Sequence, residues 1–259
     1  MDLGLKGRPA LIFGGNRGLG RACAEAVAAE GAVVTIAGRT EDSLRTAARE
    51  MSSRLGAPVH HVVADITTEE GRKAALAACP SPDILLNNAS GWPPGDFREW
   101  TRDDWIAGLD RMMLGPIGMI RLTADGMMER GFGRIVNITS RAVKIPQLEL
   151  GLSNGARSGL TGFVAGLARQ TITRGVTINN ILPGIFDSEA QAEHIDGLVA
   201  AGEGTFDEIR QRRAQENPAG RYGRPEELGS LFAWLCGDKA GFMTGQNLLI
   251  DGGSYPGTF

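Results

Sequence analysis

The stretch Ala10-Leu11-Ile12-Phe13-Gly14-Gly15-Asn16-Arg17-Gly18-Leu19-Gly20 decides the fold of this chain. Its apolar first half is rich in strand formers and ends at glycines spaced G-x-x-x-G-x-G, and the alanine-rich segment from Arg21 to Ala29 then predicts a helix. Glycines let the backbone turn sharply and approach a ligand, and the free N–H groups at the start of a helix favour a phosphate. Glycines alone would also fit a flexible turn, but a second strand from Ala32 to Gly38 completes a strand-turn-helix-strand unit that favours dinucleotide binding.

The composition narrows the class of protein. The chain has 259 residues, of which 42% are apolar, and this is enough for one α/β domain with a sizeable core. A net charge of −3 without a basic stripe argues against nucleic acid and against an anionic membrane as partners. Cys23, Cys79 and Cys236 are far apart and odd in number, which indicates free thiols in a reducing compartment.

Two absences in the sequence support further expectations. No signal-type apolar region and no run of 18 apolar residues is found, so we expect a cytoplasmic protein. The three histidines, His60, His61 and His194, lack partners at ligand spacing, so we expect no metal site.

Apolar segments alternate with helical patterns along the chain. The strands are predicted at about 10–13, 32–38, 59–66, 83–89, 133–140, 176–182 and 247–251, and the helices at about 21–29, 41–55, 68–78, 101–130, 155–173 and 225–236. The fourth helix is expected to be interrupted near Gly115-Pro116, and residues 187–221 are expected to be helical only in patches. The pattern predicts a single Rossmann-type domain over residues 1–259, a doubly wound parallel sheet of about seven strands with helices on both faces.

Ligands of such sheets bind beyond the carboxyl ends of the strands. The residues expected at those ends are the glycine turn, Arg39, Asp65, Asn88, Ser140 and Pro183-Gly184.

These residues resemble the short-chain dehydrogenase/reductase family, and in particular its 3-oxoacyl-carrier-protein reductase-like branch, over essentially the whole chain. Gly14, Gly18 and Gly20 match the family's glycine turn, although Phe13 stands in the place of its threonine. Asn87-Asn88-Ala89-Ser90 matches the family's N-N-A-G with serine in the last place, and the chain closes on the usual D-G-G at Asp251-Gly252-Gly253.

The resemblance also implies which residues hold the cofactor. Asp65 corresponds to the acid that holds the adenine amino group, and Pro183-Gly184, with Ser188 in the place of a frequent threonine, corresponds to the grip on the nicotinamide end. The full set implied is Gly14, Asn16, Arg17, Gly18, Leu19, Gly20, Arg39, Asp65, Ile66, Asn88, Ala89, Arg157, Pro183, Gly184 and Ser188.

The choice of cofactor follows from the residues after the second strand. NAD-selective members of the family place an acid there, which would repel a 2′-phosphate. This chain has Ala37-Gly38-Arg39-Thr40, and Arg39 together with Arg17 is suited to clamp a 2′-phosphate. We therefore expect NADP(H) rather than NAD(H), with a solvated Arg39 as the alternative interpretation.

Three of the family's four catalytic positions are occupied by other residue types. Ser140 stands in the serine position, but thirteen residues later Ser153 replaces the tyrosine and four residues further Arg157 replaces the lysine. The family's helix asparagine aligns with Met112. Loss of a positioned general acid costs about 10²–10⁴ in rate, and an arginine does not give up its proton as a lysine can. The predicted catalytic set is therefore Ser140, Ser153 and Arg157 in an atypical site.

Several functions remain open on the sequence alone. The favoured one is an NADP(H)-dependent oxidoreductase acting on a small carbonyl, imine or conjugated substrate through another acid, for which the candidates are Ser140, Lys144, Glu149, Asp187 or a bound water. The alternatives are a silent cofactor-binding subunit that partners an active relative, and a non-redox lyase or isomerase with Arg157, Ser140 and Ser153 as an oxyanion site. A module that has lost the dinucleotide is disfavoured by the intact glycine turn.

The resemblance assigns residues 187–221 to a mobile lid over the substrate. Arg210, Arg212 and Arg213 in this segment are interpreted as a solvated helix face, with contact to an anionic substrate as the alternative. Trp92, Phe97 and Trp100 are expected either to line a substrate pocket or to pack their own loop. Neither of the two tyrosines, Tyr222 and Tyr255, occupies the catalytic position, and Tyr222 is expected to be able to approach the site from the lid. The family is usually tetrameric, so we expect a homotetramer, or a hetero-oligomer with an active relative.

Overall fold

The computed structural model describes residues 1–258. Its sheet has seven strands in the described residues, all parallel, in the order β3-β2-β1-β4-β5-β6-β7. The strands are β1 (Pro9–Phe13), β2 (Val33–Gly38), β3 (Val59–Val63), β4 (Ile84–Asn87), β5 (Gly133–Ile138), β6 (Val176–Pro183) and β7 (Asn247–Ile250). The strand order reverses between β1 and β4, so a crevice opens there at the carboxyl edge. The predicted doubly wound sheet is confirmed.

Helices cover both faces of this sheet. They are α1 (Gly18–Ala29), α2 (Glu41–Leu55), α3 (Glu69–Ala78), α4 (Arg102–Leu109), α5 (Gly115–Arg130), α6 (Gly151–Thr171), α7 (Glu189–Ala200), α8 (Phe206–Glu216) and α9 (Pro225–Cys236). α1, α2 and α9 share one core with the sheet, and α3, α5 and α6 share the other. In β1, Ala10 and Ile12 enter the first core while Leu11 and Phe13 enter the second, which is why the strand is apolar throughout.

Several predicted strands ran too far at their carboxyl ends. The third strand stops at Val63 rather than at residue 66, because the chain turns at Asp65. The carboxylate of Asp65 accepts hydrogen bonds from the backbone N–H and the hydroxyl of Thr67, at 2.9 and 2.8 Å. Such a turn, made by a side chain, ends a strand locally. Asp65 and Ile66 therefore lie beyond the sheet at its carboxyl edge, which we call the rim.

The long fourth helix is interrupted five residues earlier than we predicted. A π-helical turn spans Asp110–Leu114, and Gly115 and Pro116 are the first residues of α5. Pro116 has no N–H to donate, and it lies just after the π turn, where the Gly115 N–H donates to the carbonyl of Asp110 and the helical hydrogen-bond pattern changes. The π turn directs Met112 inward, where it is buried with Leu152 and Ala156 of α6.

Residues 187–221 also differ from the prediction, since they form two complete helices rather than helical patches. The hydroxyl of Ser188 accepts a hydrogen bond at the start of α7, and Thr205 forms a capping box with Glu208 at the start of α8. Ile195 and Ile209, one from each helix, are buried in a small apolar cluster of their own. We call residues 187–221 the covering segment.

Candidate active site

The glycine turn is packed so tightly that side chains are excluded from it. Gly14 and Gly18 have φ angles of +64° and +52°, which other residues rarely adopt. A Cβ on Gly14 would lie 2.6 Å from Asn88 Nδ2, and a Cβ on Gly20 would overlap the carbonyl oxygen of Gly14. Asn88 Nδ2 donates a hydrogen bond of 3.5 Å to the Gly14 carbonyl. α1 begins at Gly18, three residues before the predicted start, so the turn and Leu19 lead directly into the positive end of the helix.

The ends of β2 and β3 form the next part of the rim. Asn16 donates to Ser43 Oγ at 3.1 Å, and Arg39 is exposed at the end of β2. Burial opposes ionisation of Asp65, but the hydrogen bonds from Thr67 and the charges of Arg39 and Arg111 outweigh it and lower the pKa of this carboxyl. Asp65 is therefore an ionised acceptor at neutral pH, as the resemblance requires.

The start of α7 lies over the glycine turn. Arg17 forms an ion pair with Glu193 of α7, and a Cβ on Gly18 would lie 3.3 Å from Glu189 Oε2. Arg17 is thus joined to the covering segment, whereas Arg39 has Asp65 as its charged neighbour. The two arginines expected to act together contact different parts of the rim.

Arg157 places a buried positive charge at the carboxyl edge of the sheet. It lies on α6, 7% exposed, and its Nη1 and Nη2 donate to the carbonyls of Ile138 and Ala89 at 3.0 and 3.5 Å. Its Nε donates to Ser153 Oγ at 3.2 Å. α6 begins at Gly151, four residues before the predicted start, so Ser153 lies in its first turn and Arg157 one turn later on the same side. Burial lowers the pKa of Arg157 to about 10, so it remains charged at neutral pH.

Two more predicted residues lie at the neighbouring strand ends. Ser140 follows β5, is half-buried, and its Oγ accepts a hydrogen bond of 3.1 Å from the Ala142 N–H. Pro183 closes β6, and Gly184 packs so closely on Asp251 that a Cβ would lie 2.7 Å from the Asp251 Cα. The predicted site residues therefore meet along one edge of the sheet.

The other candidate acids have different surroundings. Asp187 forms two hydrogen bonds with Arg210, at 3.0 and 2.9 Å, and Lys144 lies 5.5 Å from the ring centre of Tyr255. Tyr222 is buried with the apolar cluster of the covering segment, and in the described part of the chain its hydroxyl has no hydrogen-bond partner. Asp187, Arg210 and Tyr222 line an open cavity of about 500 Å³.

Two of the three aromatic residues in the loop after β4 pack the loop itself. Trp92 and Trp100 pack against the cluster of Met112, Leu152 and Ala156, so they hold the loop on α6. Phe97 is 57% exposed.

Residues 1–258 lack two further kinds of feature. They contain no cluster of three or more His, Cys, Asp or Glu side chains arranged to hold a metal ion. They also contain no helix with the length and apolar character needed to cross a membrane.

The three arginines of α8 do not form the uniform solvated face that the sequence suggested. Arg210 pairs with Asp187, and Arg212 lies 3.5 Å from Glu203. Arg213 is different, because its Nε is buried and has no hydrogen-bond partner among the described residues. The sequence holds no signal that separates Arg213 from Arg210 and Arg212, because the difference depends on their tertiary partners.

Together the parallel sheet, the glycine turn at its switch point and the polar residues at its carboxyl edge define a Rossmann-type α/β protein. Residues 14–255 match the family model described as enoyl-(acyl carrier protein) reductase. The chain belongs to the short-chain dehydrogenase/reductase family of oxidoreductases.

Curated relatives agree with this assignment over their full length. The chain is 31% identical to the acetoacetyl-CoA reductase of Cupriavidus necator, over 96% of this chain and 99% of that protein. It is 28% identical to the 3-oxoacyl-[acyl-carrier-protein] reductase of Aquifex aeolicus, over 98% of this chain and 100% of that protein.

Solved structures give the same result for the fold. L-Sorbose reductase from Gluconobacter frateurii, solved with NADPH and L-sorbose, matches with a TM-score of 0.94 and 29% identity over 100% of both chains. A single-residue variant of actinorhodin polyketide ketoreductase, solved with NADPH, matches with a TM-score of 0.90 and 27% identity over 97% of this chain and 98% of that one.

Proposed function

We propose that this protein is an NADP(H)-dependent oxidoreductase that acts on a small carbonyl, imine or conjugated substrate without the tyrosine and lysine usual in its family. The observation that carries the proposal is the buried guanidinium of Arg157, held by Ser153 and by the ends of β4 and β5. These are the positions that the resemblance gives to the tyrosine and the lysine.

The rim residues fit a dinucleotide. The glycines let the backbone of the turn close on Asn88, and the N–H groups at the start of α1, which no side chain caps, form a cradle that suits a pyrophosphate. In this proposal Gly14 to Gly20 hold the pyrophosphate, Asp65 and Ile66 the adenine, and Asn88, Ala89, Arg157, Pro183, Gly184 and Ser188 the nicotinamide end. The bound cofactor would supply a hydride to the substrate, and the NADPH complexes of the two matched reductases support this cofactor type.

Arg157 and Ser153 have distinct tasks in the proposed chemistry. Three of the five guanidinium N–H groups are engaged, which leaves two to stabilise negative charge on a substrate atom or to hold ribose hydroxyls. Ser153 Oγ already accepts from Arg157, so its own proton is free to be donated. A serine hydroxyl is a weak acid, so the site suits a substrate that needs little help from an acid, such as an imine or a conjugated double bond.

Arg39→Asp tests the proposed cofactor preference. We expect the variant to weaken NADPH binding by about tenfold or more while NADH binding changes little, because a carboxylate at the end of β2 repels a 2′-phosphate. Calorimetric titration of the wild type and the variant with both nucleotides measures this. Arg49→Asp, on exposed α2, makes the same charge change away from the rim and controls for net charge. An equal loss of both nucleotides would contradict a role in phosphate selection.

Glu193→Ala tests the second arginine of the proposed clamp. Because Glu193 pairs with Arg17, its removal should free Arg17 for the 2′-phosphate and strengthen NADPH binding by up to about fivefold at low salt, the scale of one exposed ion pair. The gain should disappear in the Arg17→Ala background. Weaker NADPH binding by Glu193→Ala would instead mean that the ion pair itself supports the bound nucleotide.

The contacts of Arg157 also favour a second candidate, a silent cofactor-binding subunit. Three of the guanidinium N–H groups donate to groups of the same chain, so Arg157 can serve to stabilise the fold. Such a protein would bind NADP(H) without turnover. For either candidate we propose that residues 1–259 form one domain and that the covering segment is its substrate lid. We also propose that the protein is cytoplasmic and that it assembles as a homotetramer or with an active relative.

A further inference from the structure

The inner side of the covering segment presents buried hydrogen-bond donors that the chain itself leaves unused. Arg213 Nε on α8 and Gln191 Nε2 on α7 are both buried, and both lack a hydrogen-bond partner in the described residues. His194 lies three residues after Gln191 and therefore on the same side of α7. Burial and the charge of Arg213 lower the pKa of His194, against the pull of Glu149 and Glu203, so α7 and α8 lie side by side at this point.

Arg213 lies one turn before the point where α8 ends against residues 251–254. Asn217, which directly follows α8, donates to the carbonyl of Asp251 at 2.9 Å and to Ser254 Oγ at 3.0 Å. The segment after β5 reaches the same turn, because Lys144 lies over the ring of Tyr255. α8 and residues 141–144 therefore converge on residues 251–255, beside Ser140.

Arg141 is the second cation at this point of convergence. It follows Ser140 directly and is half-buried, and no described carboxylate forms an ion pair with it or with Arg213. Burial and the charge of Arg213 lower the pKa of Arg141, against the pull of Asp251. The oxygens of Asp251 already accept from the N–H groups of Gly253 and Tyr255, at 3.0 and 2.9 Å, so this acid is engaged by the backbone.

Arg141 and Arg213, placed together without an anion, lower the stability of the folded chain. Two neighbouring cations repel each other, and buried donors without acceptors lose the hydrogen bonds that water gave them in the unfolded chain. An anionic oxygen group removes both costs, because it accepts from guanidinium N–H groups and balances their charge.

We propose that Arg141 and Arg213, assisted by Gln191, bind an anionic group of the substrate, so that the protein acts on a carboxylate- or phosphate-bearing compound. This rests on the proposed function, since it takes Ser140 and Arg157 as the reacting end of the site. The anionic group lies under the covering segment, and the reacting carbon points toward Arg157. The same contact would keep α7 and α8 in place over the bound substrate.

Paired ligands test the proposal on the full-length protein. Acids such as 4-oxopentanoate and 2-oxobutanoate are compared with their primary amides, and dihydroxyacetone phosphate is compared with dihydroxyacetone. Dissociation constants are measured calorimetrically with and without NADP⁺, a form of the cofactor that does not reduce these compounds. The wild type is compared with Arg213→Gln and Arg141→Gln, and with Arg212→Gln as the matched control on the exposed side of α8.

We expect at least one anionic ligand to bind about tenfold or more tightly than its neutral partner, on the scale of charge-assisted hydrogen bonds. Arg213→Gln and Arg141→Gln should each remove most of that preference, and Arg212→Gln should retain it. A preference confined to the acids or to the phosphate identifies the group.

The proposal is overturned if every pair binds equally to the wild type, or if Arg212→Gln loses the preference as fully as Arg213→Gln. A preference for anions without any binding of NADP⁺ or NADPH would keep this site and overturn the proposed function instead.

Discussion

The double variant Ser153→Tyr/Arg157→Lys should reduce simple ketones with NADPH about 10²–10⁴ times faster than the wild type, the gain expected from a positioned general acid. A phenol is a far stronger acid than a serine hydroxyl, and a lysine ammonium one helical turn away stabilises the phenolate. Residues 153 and 157 already lie one turn apart in α6, and the backbone matches that of L-sorbose reductase with a TM-score of 0.94. Steady-state rates over a panel of small ketones measure the gain.

The single variant Ser153→Tyr and a tyrosine placed elsewhere on α6 show whether the gain in rate depends on the tyrosine and the lysine together. Ser153→Tyr alone should gain less than the double variant, because the buried arginine would keep its hold on the two carbonyls. Ser158→Tyr adds a tyrosine on the exposed side of the same helix and should leave the rate unchanged. If the double variant folds, binds NADPH and gains nothing, the site has diverged at more than these two positions.

Gly20→Ala should weaken NADPH binding by about 10- to 100-fold, because the turn opens to relieve an overpacking cost of about 1–3 kcal/mol that nucleotide binding would have to restore, and each 1.4 kcal/mol is a factor of ten. The new Cβ would overlap the carbonyl of Gly14 and lie 2.6 Å from Asn88 Nδ2, so the cradle must open. Calorimetric titration with NADPH measures the loss.

Gly162→Ala is the matched control for this change. Gly162 lies on the exposed side of α6 with nothing within 4 Å of the added Cβ, so the variant should bind NADPH as the wild type does and be slightly more stable. Normal NADPH binding by a folded Gly20→Ala would mean that the glycine turn does not carry the nucleotide.

The strands of the sheet and most residues of the rim could be predicted from the sequence, because both depend on local signals. Apolar strands, glycines with unusual φ angles and helix caps each act within a few residues, so β1, α2 and α9 could be placed closely. The short turn at Asp65 was missed because its hydrogen bonds to Thr67 compete with an apolar run that still looks like a strand.

The covering segment and the pairing of its arginines could not be predicted in the same way. α7 and α8 bury little more than Ile195 and Ile209, so their helical periodicity is weak in the sequence. Whether an arginine has a carboxylate partner depends on tertiary contacts, which separate Arg213 from the paired Arg210 and Arg212. The π turn before α5 is likewise a tertiary effect, since it lets Met112 pack against α6.

The proposed hydride transfer without the usual tyrosine and lysine would move deuterium from a deuterated cofactor to a carbon of the substrate. The protein is incubated with NADPH deuterated at both C4 positions and a panel of imines, enones and ketones that includes oxo acids. We expect mass spectrometry to find deuterium bound to carbon in at least one product, and the Gly20→Ala variant to lose it. Binding of NADPH with no deuterium in any product would contradict the claim and leave a silent cofactor-binding subunit.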